Sequence, residues 1–376
     1  MGEQQHDRVE GGRRSRLSRR RFLGTGAAGA AALPAMGTLT ASAQAADKHG
    51  GKGRRDLTVA PKRRGIILYT VRDAISRKDR AEQDPDTGRP LRGGFRGVFE
   101  TLSRIGYREV EFAGYDQGEN GPITPRQLRR LLDDNGLVAN GNHGSVPGEI
   151  NAETIAQFEQ DLDTAETLGL AHMGTGGDPT SSSYKEDWDK AADVWNFWGE
   201  RAAARGIKLY THNHHDAYGF LLDSGPQDDQ GRPTRSSGIR KLEYFFDLAD
   251  PDYVHFEMDI FWAYVAQFRW VDYTDPDGVS RRSIFDPIDV VQAQPHRFPL
   301  FHVKDGASNP ESDDGYDMVP AGTGDVPLKR LLDVIEQQGF HHPNYEQDNA
   351  GGGDEDPSQS FRFAELSYRN IAKWRD

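Results

Sequence analysis

The chain has 376 residues, enough for one large α/β domain or two ordinary ones, and its 35% hydrophobic content excludes a globally disordered protein. It has no cysteine, which excludes a disulfide scaffold, a thiolate metal site and a cysteine nucleophile. The net charge is −13; residues 1–60 carry 11 Lys+Arg against 5 Asp+Glu, a surplus of +6, so the remainder carries −19. Such an acidic body repels phosphate backbones, and we expect no nucleic-acid partner.

The first 45 residues have the layout of an export signal. A cluster of arginines is followed by an uncharged stretch over residues 22–46, and Ala41-Ser42-Ala43 supplies a small-x-small cleavage site. The segment Ser18-Arg19-Arg20-Arg21-Phe22-Leu23 resembles the twin-arginine signal. We therefore predict export by that route, to the cell envelope or the extracellular medium.

A transmembrane anchor is the alternative interpretation of the same segment. Its high Gly, Thr and Ala content and Pro34 disfavour it, so we expect no membrane association after signal removal. Residues 46–62 are rich in Gly and charge and predict a flexible lead-in. The folded body is then expected over residues 63–376.

Strand and helix patterns alternate throughout this body. Short apolar runs typical of buried parallel strands are followed by helical stretches, most of which stop at a glycine. The predicted strands are 66–69, 109–112, 137–140, 170–173, 207–210, 254–258, 300–303 and 344–346. The predicted helices are 95–105, 124–132, 152–168, 188–204, 240–248, 288–292, 328–337 and 361–374. Eight such pairs predict a single-domain (β/α)8 TIM barrel.

An open, doubly wound sheet could be built from the same elements. The count of eight favours closure, and no glycine-rich dinucleotide fingerprint follows the first strand. Two polar insertions, 223–237 and 273–283, follow strands at the face where barrels bind substrates. We interpret them as candidate lids.

Polar side chains stand at the carboxyl ends of most predicted strands. In a barrel these ends converge on one pocket, and imidazoles and carboxylates from separate strands favour a divalent metal with mixed nitrogen and oxygen ligands. The candidate ligands are His212, His214, Asp259, His302 and Glu346. We expect Mn²⁺, with Mg²⁺, Co²⁺ and Zn²⁺ as alternatives.

A single histidine at a strand end is more often a hydrogen-bonded cap than a ligand, and only the convergence of several strands favours ligation. We therefore interpret His215 and His255 as caps. His296, His341 and His342 are expected at the surface, and His172 is undecided.

Several motifs in a fixed order resemble one known family. They are Tyr210-Thr211-His212-Asn213-His214, Met258-Asp259-Ile260-Phe261-Trp262-Ala263, Phe301-His302-Val303-Lys304-Asp305, Gly322-Thr323-Gly324-Asp325-Val326 and Tyr345-Glu346. Together, over about residues 65–374, they resemble the sugar phosphate isomerase/epimerase family of xylose isomerase-like TIM barrels. The resemblance implies a metal held by a strand-five residue and by Asp259, His302 and Glu346.

Two positions depart from the family pattern. Many members carry a Glu where this chain has His212, and others carry one three residues after His-Asn-His, where this chain has Ala217. A second catalytic carboxylate is therefore missing or moved. Glu111 and His143 are the candidates to replace it.

The resemblance implies an isomerase or epimerase that acts on a small sugar or keto-sugar. A metal would polarise the carbonyl, and Glu346, or His214 if it is not a ligand, would remove the adjacent proton. Lys304 would stabilise the enediolate or only pair with Asp305 or Glu346, and His143 would donate a proton. The expected substrate contacts are Trp262, Tyr69 and Asn213, although aromatics at such positions are more often core residues.

Other functions stay open at this point. The same enolate would serve a lyase, a dehydratase or a glycoside-cleaving enzyme, and a secreted sugar-binding protein without catalysis fits the departures at residues 212 and 217. A metal-dependent endonuclease is disfavoured by the acidic body and the export signal. Homo-oligomerisation is also open.

Overall fold

The computed structural model describes residues 57–375 apart from 80–82, 84–87, 89, 91 and 337–338, so the predicted signal at 1–45 lies outside the described residues. Eight parallel strands form a closed barrel in chain order. They are β1 (Gly65–Ile67), β2 (Glu109–Phe112), β3 (Val138–Gly144), β4 (His172–Thr175), β5 (Lys208–His212), β6 (Val254–Asp259), β7 (Leu300–Val303) and β8 (His342–Tyr345). The barrel closes where Gly65 and Ile66 of β1 align with Asn344 and Tyr345 of β8. The predicted TIM barrel is confirmed, and the open sheet is excluded.

Helices cover the outside of the barrel. They span Arg72–Ser76, Gly94–Ile105, Pro125–Asp134, Ala152–Leu168, Lys185–Ala204, Lys241–Leu248, Ile260–Arg269, Pro287–Ala293, Leu328–Glu336 and Gln359–Ile371. The outward side chains of the strands pack beneath them; Phe256 of β6, for example, stacks on Phe246 at 4.5 Å between ring centroids. Burying one such side chain contributes about 1.5–3 kcal/mol.

Local sequence explains where individual helices begin and end. Thr124 and Gln127 form a capping box at the start of Pro125–Asp134, in which each side chain accepts a hydrogen bond from the other residue's backbone N–H. Gly169 ends Ala152–Leu168 in the left-handed conformation, with φ of 73°. Both ends agree with the sequence prediction to within two residues.

Several elements differ from the prediction, and two of these differences concern predicted site residues. Strand β1 ends at Ile67, and the chain turns into a 3-10 helix over Leu68–Val71, so Tyr69 belongs to the turn rather than to the strand. The helix Ile260–Arg269 was not predicted, because its first residues were interpreted only as a motif that follows a strand. The connection from β6 to β7 therefore contains two helices.

The two polar insertions form β-hairpins that contact one another. One pairs Ser224–Gln227 with Pro233–Arg235, and the other pairs Asp272–Thr274 with Ser280–Arg282. The Ser236 backbone N–H donates to the Thr274 carbonyl at 3.0 Å. Their role as lids stays a prediction.

The end of the predicted flexible lead-in is packed against the barrel. Leu57 forms a β-bridge with Arg375, and the Thr58 hydroxyl donates to Asp333 Oδ1 at 2.8 Å. Thr58 and Val59 are buried. Residues 57–59 of the predicted lead-in are thus part of the packed structure, because this segment buries Val59 and hydrogen-bonds to the C-terminal end; residues 46–56 lie outside the described part.

The barrel interior is polar along much of its length. TIM barrels usually fill this space with Val, Ile and Leu. Here inward positions carry Glu109, Glu111, Asn140, Tyr210, His212, Glu257, Asp259, His302, His342 and Asn344, as their contacts across the barrel show. Within the described residues, no helix is long and apolar enough to cross a membrane.

Candidate functional site

Four of the predicted ligand residues meet at the carboxyl end of the barrel. His212, Asp259, His302 and Glu346, called here the upper cluster, each offer one potential ligand atom, and these atoms lie within 4.8 Å of one another. His302 Nδ1 is 2.6 Å from Glu346 Oε2 and 4.0 Å from Asp259 Oδ2. His212 Nε2 is 3.7 Å from the same Asp259 oxygen. All four residues are buried.

The strand register brings these residues together. His212 and Asp259 are the last residues of β5 and β6, and Glu346 directly follows β8. On β7, His302 aligns with Asp259 on one side and with Asn344 on the other. Neighbouring parallel strands therefore present their last inward side chains at the same height.

Asp259 has two structural roles. Its Oδ1 accepts a hydrogen bond from the Trp262 backbone N–H at 3.0 Å and so caps the helix Ile260–Arg269. This cap fixes the carboxylate plane and leaves Oδ2 directed at the upper cluster. The motif that follows β6 thus orients a candidate ligand as well as starting a helix.

Three polar atoms of the upper cluster are buried without a well-formed hydrogen bond. They are Asp259 Oδ2, His302 Nδ1 and Glu346 Oε2. Leaving such an atom unsatisfied costs about 1–3 kcal/mol. One nitrogen and two carboxylate oxygens that converge in this way form a donor set that fits a divalent cation.

Lys304 lies against the same carboxylates. Its Nζ is 2.7 Å from Asp259 Oδ2, 2.8 Å from Glu346 Oε2 and 3.1 Å from Asp348 Oδ2, and the side chain is 1% exposed. Burial acts to lower the pKa of Lys304, but Asp259 and Glu346 outweigh it and hold this pKa well above its usual value. The predicted pairing with Glu346 is present, whereas pairing with Asp305 is not.

Asp305 instead holds the loop that carries the Gly-x-Gly-Asp-Val motif. Its Oδ2 accepts from the backbone N–H groups of Gly322 at 2.8 Å and Gly324 at 3.0 Å, and its Oδ1 accepts from that of Val326 at 3.3 Å. A side chain on Gly324 would collide with Asp305 Oδ1 and the Gly306 backbone. The Gly-x-Gly-Asp-Val motif is therefore structural: it fixes the loop behind β7.

A second group lies directly below the upper cluster and centres on Glu257, which the sequence analysis did not identify. Glu257 Oε2 is 2.6 Å from His143 Nε2 and 3.1 Å from His212 Nδ1, while Oε1 is 3.1 Å from His302 Nε2. The strand alternation contained the signal, because Glu257 precedes Asp259 by two residues and must point to the same face.

Glu111, predicted to act on the substrate, is fully enclosed in this lower position. It accepts hydrogen bonds from the Tyr210 hydroxyl, from Asn344 Nδ2 at 2.8 Å and from His302 Nε2 at 3.1 Å. Its exposed fraction is 0%, because the imidazoles cover it. Glu111 is thus placed to hold other side chains rather than to touch a ligand.

The pKa values of the two enclosed carboxylates, Glu111 and Glu257, are shifted in opposite directions. Burial, and then the charge of Glu257, raise the pKa of Glu111. Burial also acts to raise the pKa of Glu257, but His302 and His143 outweigh it and hold this pKa well below its usual value. Burial lowers the pKa of His212 far below its usual value, so this imidazole is neutral. Burial raises the pKa of Asp259 to about 6, against the opposing effect of Lys304.

The remaining predicted residues lie around the mouth. His214 is exposed and is not part of either histidine–carboxylate cluster; its ring packs against Trp262, 5.6 Å between centroids. The reason is that β5 ends at His212: alternation along a continued strand would place His214 on the same face as His212, but the chain has already left the sheet. Trp262 is half-buried with its ring 5.6 Å from Lys304 Nζ.

The other two predicted substrate contacts are placed differently from each other. Tyr69 is 40% exposed, and the Arg72 guanidinium lies 3.9 Å from its ring centroid. Asn213 is 3% exposed, and its Nδ2 is buried without a hydrogen-bond partner. Ala217, where other members carry a carboxylate, is fully buried in a 3-10 turn after β5.

Two histidines predicted at the surface are not exposed. His341 is 1% exposed, and its Nδ1 hydrogen-bonds to the Phe298 carbonyl at 2.7 Å. His342 points into the lower barrel, where its Nδ1 is 2.8 Å from Glu109 Oε2. Strand β8 begins earlier than predicted, at His342, and alternation directs His342, Asn344 and Glu346 inward together.

Comparison with solved structures shows the same fold. A sugar phosphate isomerase/epimerase from Parabacteroides distasonis ATCC 8503 superposes with a TM-score of 0.58, at 21% identity over 85% of this chain and 96% of that one. The probable 3-DHS dehydratase AsbF from Bacillus anthracis gives 0.51, at 13% identity over 81% and 98%. An IolI protein with a bound zinc atom gives 0.53, at 13% identity over 82% and 98%.

Sequence comparison gives the family. No curated protein sequence matched the chain. A family model does match residues 99–348, which run from the first long helix to the residues just after β8 and include every member of the upper cluster. The chain therefore belongs to the xylose isomerase-like TIM barrel family.

Proposed function

We propose that this protein is a divalent-metal-dependent isomerase or epimerase that acts on a sugar or keto-sugar derivative by removing a proton next to a carbonyl. The observation that supports this most directly is the upper cluster: four ligand atoms at the ends of four strands lie within 4.8 Å of one another, and three of them are buried without a well-formed hydrogen bond. We infer Mn²⁺ as the ion, since the donors combine imidazole nitrogen with carboxylate oxygen.

His212, Asp259, His302 and Glu346 would hold the ion. When bound, a divalent ion acts as a Lewis acid that polarises the substrate carbonyl and lowers the pKa of the adjacent C–H. The remaining contributions come from side chains of this chain that line the mouth.

The acid–base groups must reach the substrate, and exposure separates the candidates. The side chains of Glu111 and Glu257 are 0% exposed, whereas those of His143 and Asp348 are 12% and 31% exposed. We therefore assign proton transfer to His143 on β3 and to Asp348 after β8; Glu346, with a side chain that is 5% exposed, would act as a base only from its place among the metal ligands. This places acid–base groups on well-separated strands, which suits removal of a proton at one position and its return at another.

Lys304 is placed to bind the substrate oxygen that gains negative charge. Its ammonium already contacts Asp259, Glu346 and Asp348, so it reaches the boundary between the buried cluster and the mouth. A fixed cation at this point stabilises a developing enediolate without reorganisation.

The substrate class follows from the charge around the mouth. Three carboxylates, Asp259, Glu346 and Asp348, surround the ammonium of Lys304, which disfavours a phosphorylated substrate. An uncharged or oxidised sugar agrees better with this negative charge. It is also the kind of substrate that an exported protein would meet. Trp262 and Tyr69 are placed to stack on a sugar face.

The test uses the full chain loaded with Mn²⁺ and a panel of keto-sugars and aldose derivatives in D₂O. We expect metal-dependent deuterium incorporation at the carbon next to the carbonyl, detected by NMR, and none in protein treated with a chelator. Isomeric product supports the isomerase, whereas product that has lost a β-substituent supports the lyase. Sugar binding without exchange, or exchange independent of metal, contradicts the proposal.

A further inference from the structure

Glu257 lies where it can decide which ring nitrogen of a neighbouring histidine carries a proton. Its Oε2 is 3.1 Å from His212 Nδ1, while the other nitrogen of that ring, Nε2, faces Asp259 Oδ2 at 3.7 Å. A carboxylate accepts hydrogen bonds and does not donate them when ionised. The contact therefore requires His212 to carry its proton on Nδ1, which leaves a lone pair on Nε2 directed into the upper cluster.

The neighbouring ring is held in the same manner by a different carboxylate. His302 Nε2 is 3.1 Å from Glu111 Oε2 and 3.1 Å from Glu257 Oε1, and its Nδ1 points at Glu346. Each imidazole of the upper cluster thus has a carboxylate at its lower nitrogen, while its upper nitrogen faces a carboxylate oxygen that is shared with Lys304. Partners of this type orient ligating histidines and raise their basicity.

We propose that Glu257 is a positioning residue that keeps His212 in the tautomer with a free Nε2. This inference deepens the proposed function, since the free nitrogen would serve the metal. Glu257 itself is fully enclosed and touches His143, His212 and His302, so it acts through these rings rather than on a substrate.

An alternative role for Glu257 is ligation of a second ion together with His143, His212 and His302. Simultaneous occupancy of both clusters would require His212 and His302 to bind through both nitrogens and thus to lose their last ring protons. A neutral imidazole has one donor nitrogen and one acceptor nitrogen. The geometry therefore favours one ion above and an orienting carboxylate below.

The primary test is the tautomer of His212 in the protein as isolated. Full-length protein labelled with ¹⁵N-histidine is examined at pH 8, and the His212 signals are identified by their loss in His212→Asn. We expect the proton on Nδ1 in the wild type and a substantial shift toward Nε2 in Glu257→Gln, because a glutamine can offer N–H instead of oxygen. A proton on Nε2 in the wild type overturns the proposal even if the variant does not fold.

The second readout is Mn²⁺ affinity measured by calorimetry. We expect Glu257→Gln to weaken binding about 10–100-fold, the usual effect of removing such a partner. Glu109→Gln is the matched control, since Glu109 is also buried inside the barrel but contacts Asn140, His342 and Arg63. Equal affinities of the two variants, or two ions per wild-type chain with one lost in Glu257→Gln, would contradict the positioning role.

The two proposals fail in different ways. A wild-type protein that binds no Mn²⁺ contradicts the proposed metal dependence, while the tautomer measurement still tests Glu257. A wild-type protein that binds one Mn²⁺ tightly, with an unchanged tautomer and affinity in Glu257→Gln, contradicts only the positioning role.

Discussion

The upper and lower halves of the barrel interior are both buried and polar, yet they differ in how their polar atoms are satisfied. In the lower half, Asn140 Nδ2 donates to Glu109 Oε2 at 3.2 Å and to Asn344 Oδ1 at 2.9 Å. The other two contacts of Glu109 are His342 Nδ1, 2.8 Å from its Oε2, and Arg63 Nη1, 3.2 Å from its Oε1. In the upper half, by contrast, Asp259 and Glu346 each retain a buried oxygen without a well-formed hydrogen bond.

This difference shows that polar burial alone does not mark a functional site. A closed network such as the lower one rigidifies the barrel and offers nothing to a ligand. Buried atoms that converge on one point without well-formed hydrogen bonds have the opposite property, since they are costly until something binds them. The amide side chains of Asn140 and Asn344 lie between the two halves. Neither of them supplies an imidazole nitrogen or a carboxylate oxygen of the kind found in the upper cluster.

The largest expected effect comes from removing the histidine at the centre of the upper cluster. We expect His302→Ala to weaken Mn²⁺ binding by more than about 100-fold, beyond the effect of losing an orienting partner, while the fold stays intact. The matched change in the lower half is His342→Ala, which should leave Mn²⁺ affinity unchanged and lower the free energy of unfolding by about 1–3 kcal/mol. Calorimetry measures the Mn²⁺ affinity, and urea denaturation measures the free energy of unfolding. Stoichiometric Mn²⁺ retained by folded His302→Ala would contradict the ligand assignment.

A smaller effect on the free energy of unfolding is expected when the pH is lowered, because a histidine in the lower half is buried. Burial, and then the charge of His342, lower the pKa of His172 to about 3 from an ordinary value of 6.5. The unfolded chain gains a proton below pH 6.5 while folded His172 stays neutral, so stability falls as the pH drops from 6.5 toward 3. This single residue should cost about 2 kcal/mol by pH 5.

The substitution His172→Gln checks this effect. We expect the variant to show a flatter dependence of unfolding free energy on pH between 6.5 and 5 than the wild type does. The reference is His296→Gln, which removes an exposed histidine and retains His172, its burial and its neighbour His342. An identical pH dependence in wild type and His172→Gln would show that the buried ring does not titrate as described.

The smallest expected effect concerns the lysine that shares oxygens with the upper cluster. Lys304→Met removes a cation that lies 2.7 and 2.8 Å from Asp259 and Glu346 oxygens. The loss of repulsion should tighten Mn²⁺ binding by roughly tenfold, about 1.4 kcal/mol, while proton exchange falls because the enediolate loses its cation. Weaker Mn²⁺ binding in this variant, with an unchanged thermal midpoint, would show that Lys304 supports the metal site instead.

Much of the architecture could be predicted from the sequence because it depends on local patterns. The eight strand–helix pairs follow from hydrophobic periodicity and from glycines such as Gly169 that end helices. The helix Ile260–Arg269 was missed because its start is signalled only by Asp259, a residue that also reads as a strand end. The packing of Leu57 was missed because its partner, Arg375, lies at the other end of the chain.

Sequence alone was sufficient to identify the closed barrel, the family resemblance and the four residues of the upper cluster as candidate ligands, since these depend on strand order and on motifs within a few residues of one another. Only the tertiary structure decided that Glu257 lies beneath three imidazoles, that Glu111 is enclosed, that His214 stands outside the cluster and that Asp305 serves a loop. Each of these outcomes depends on distances across the barrel between residues as far apart as Glu111 and His302. Such distances are set by the register and curvature of the whole closed sheet, which no local pattern contains.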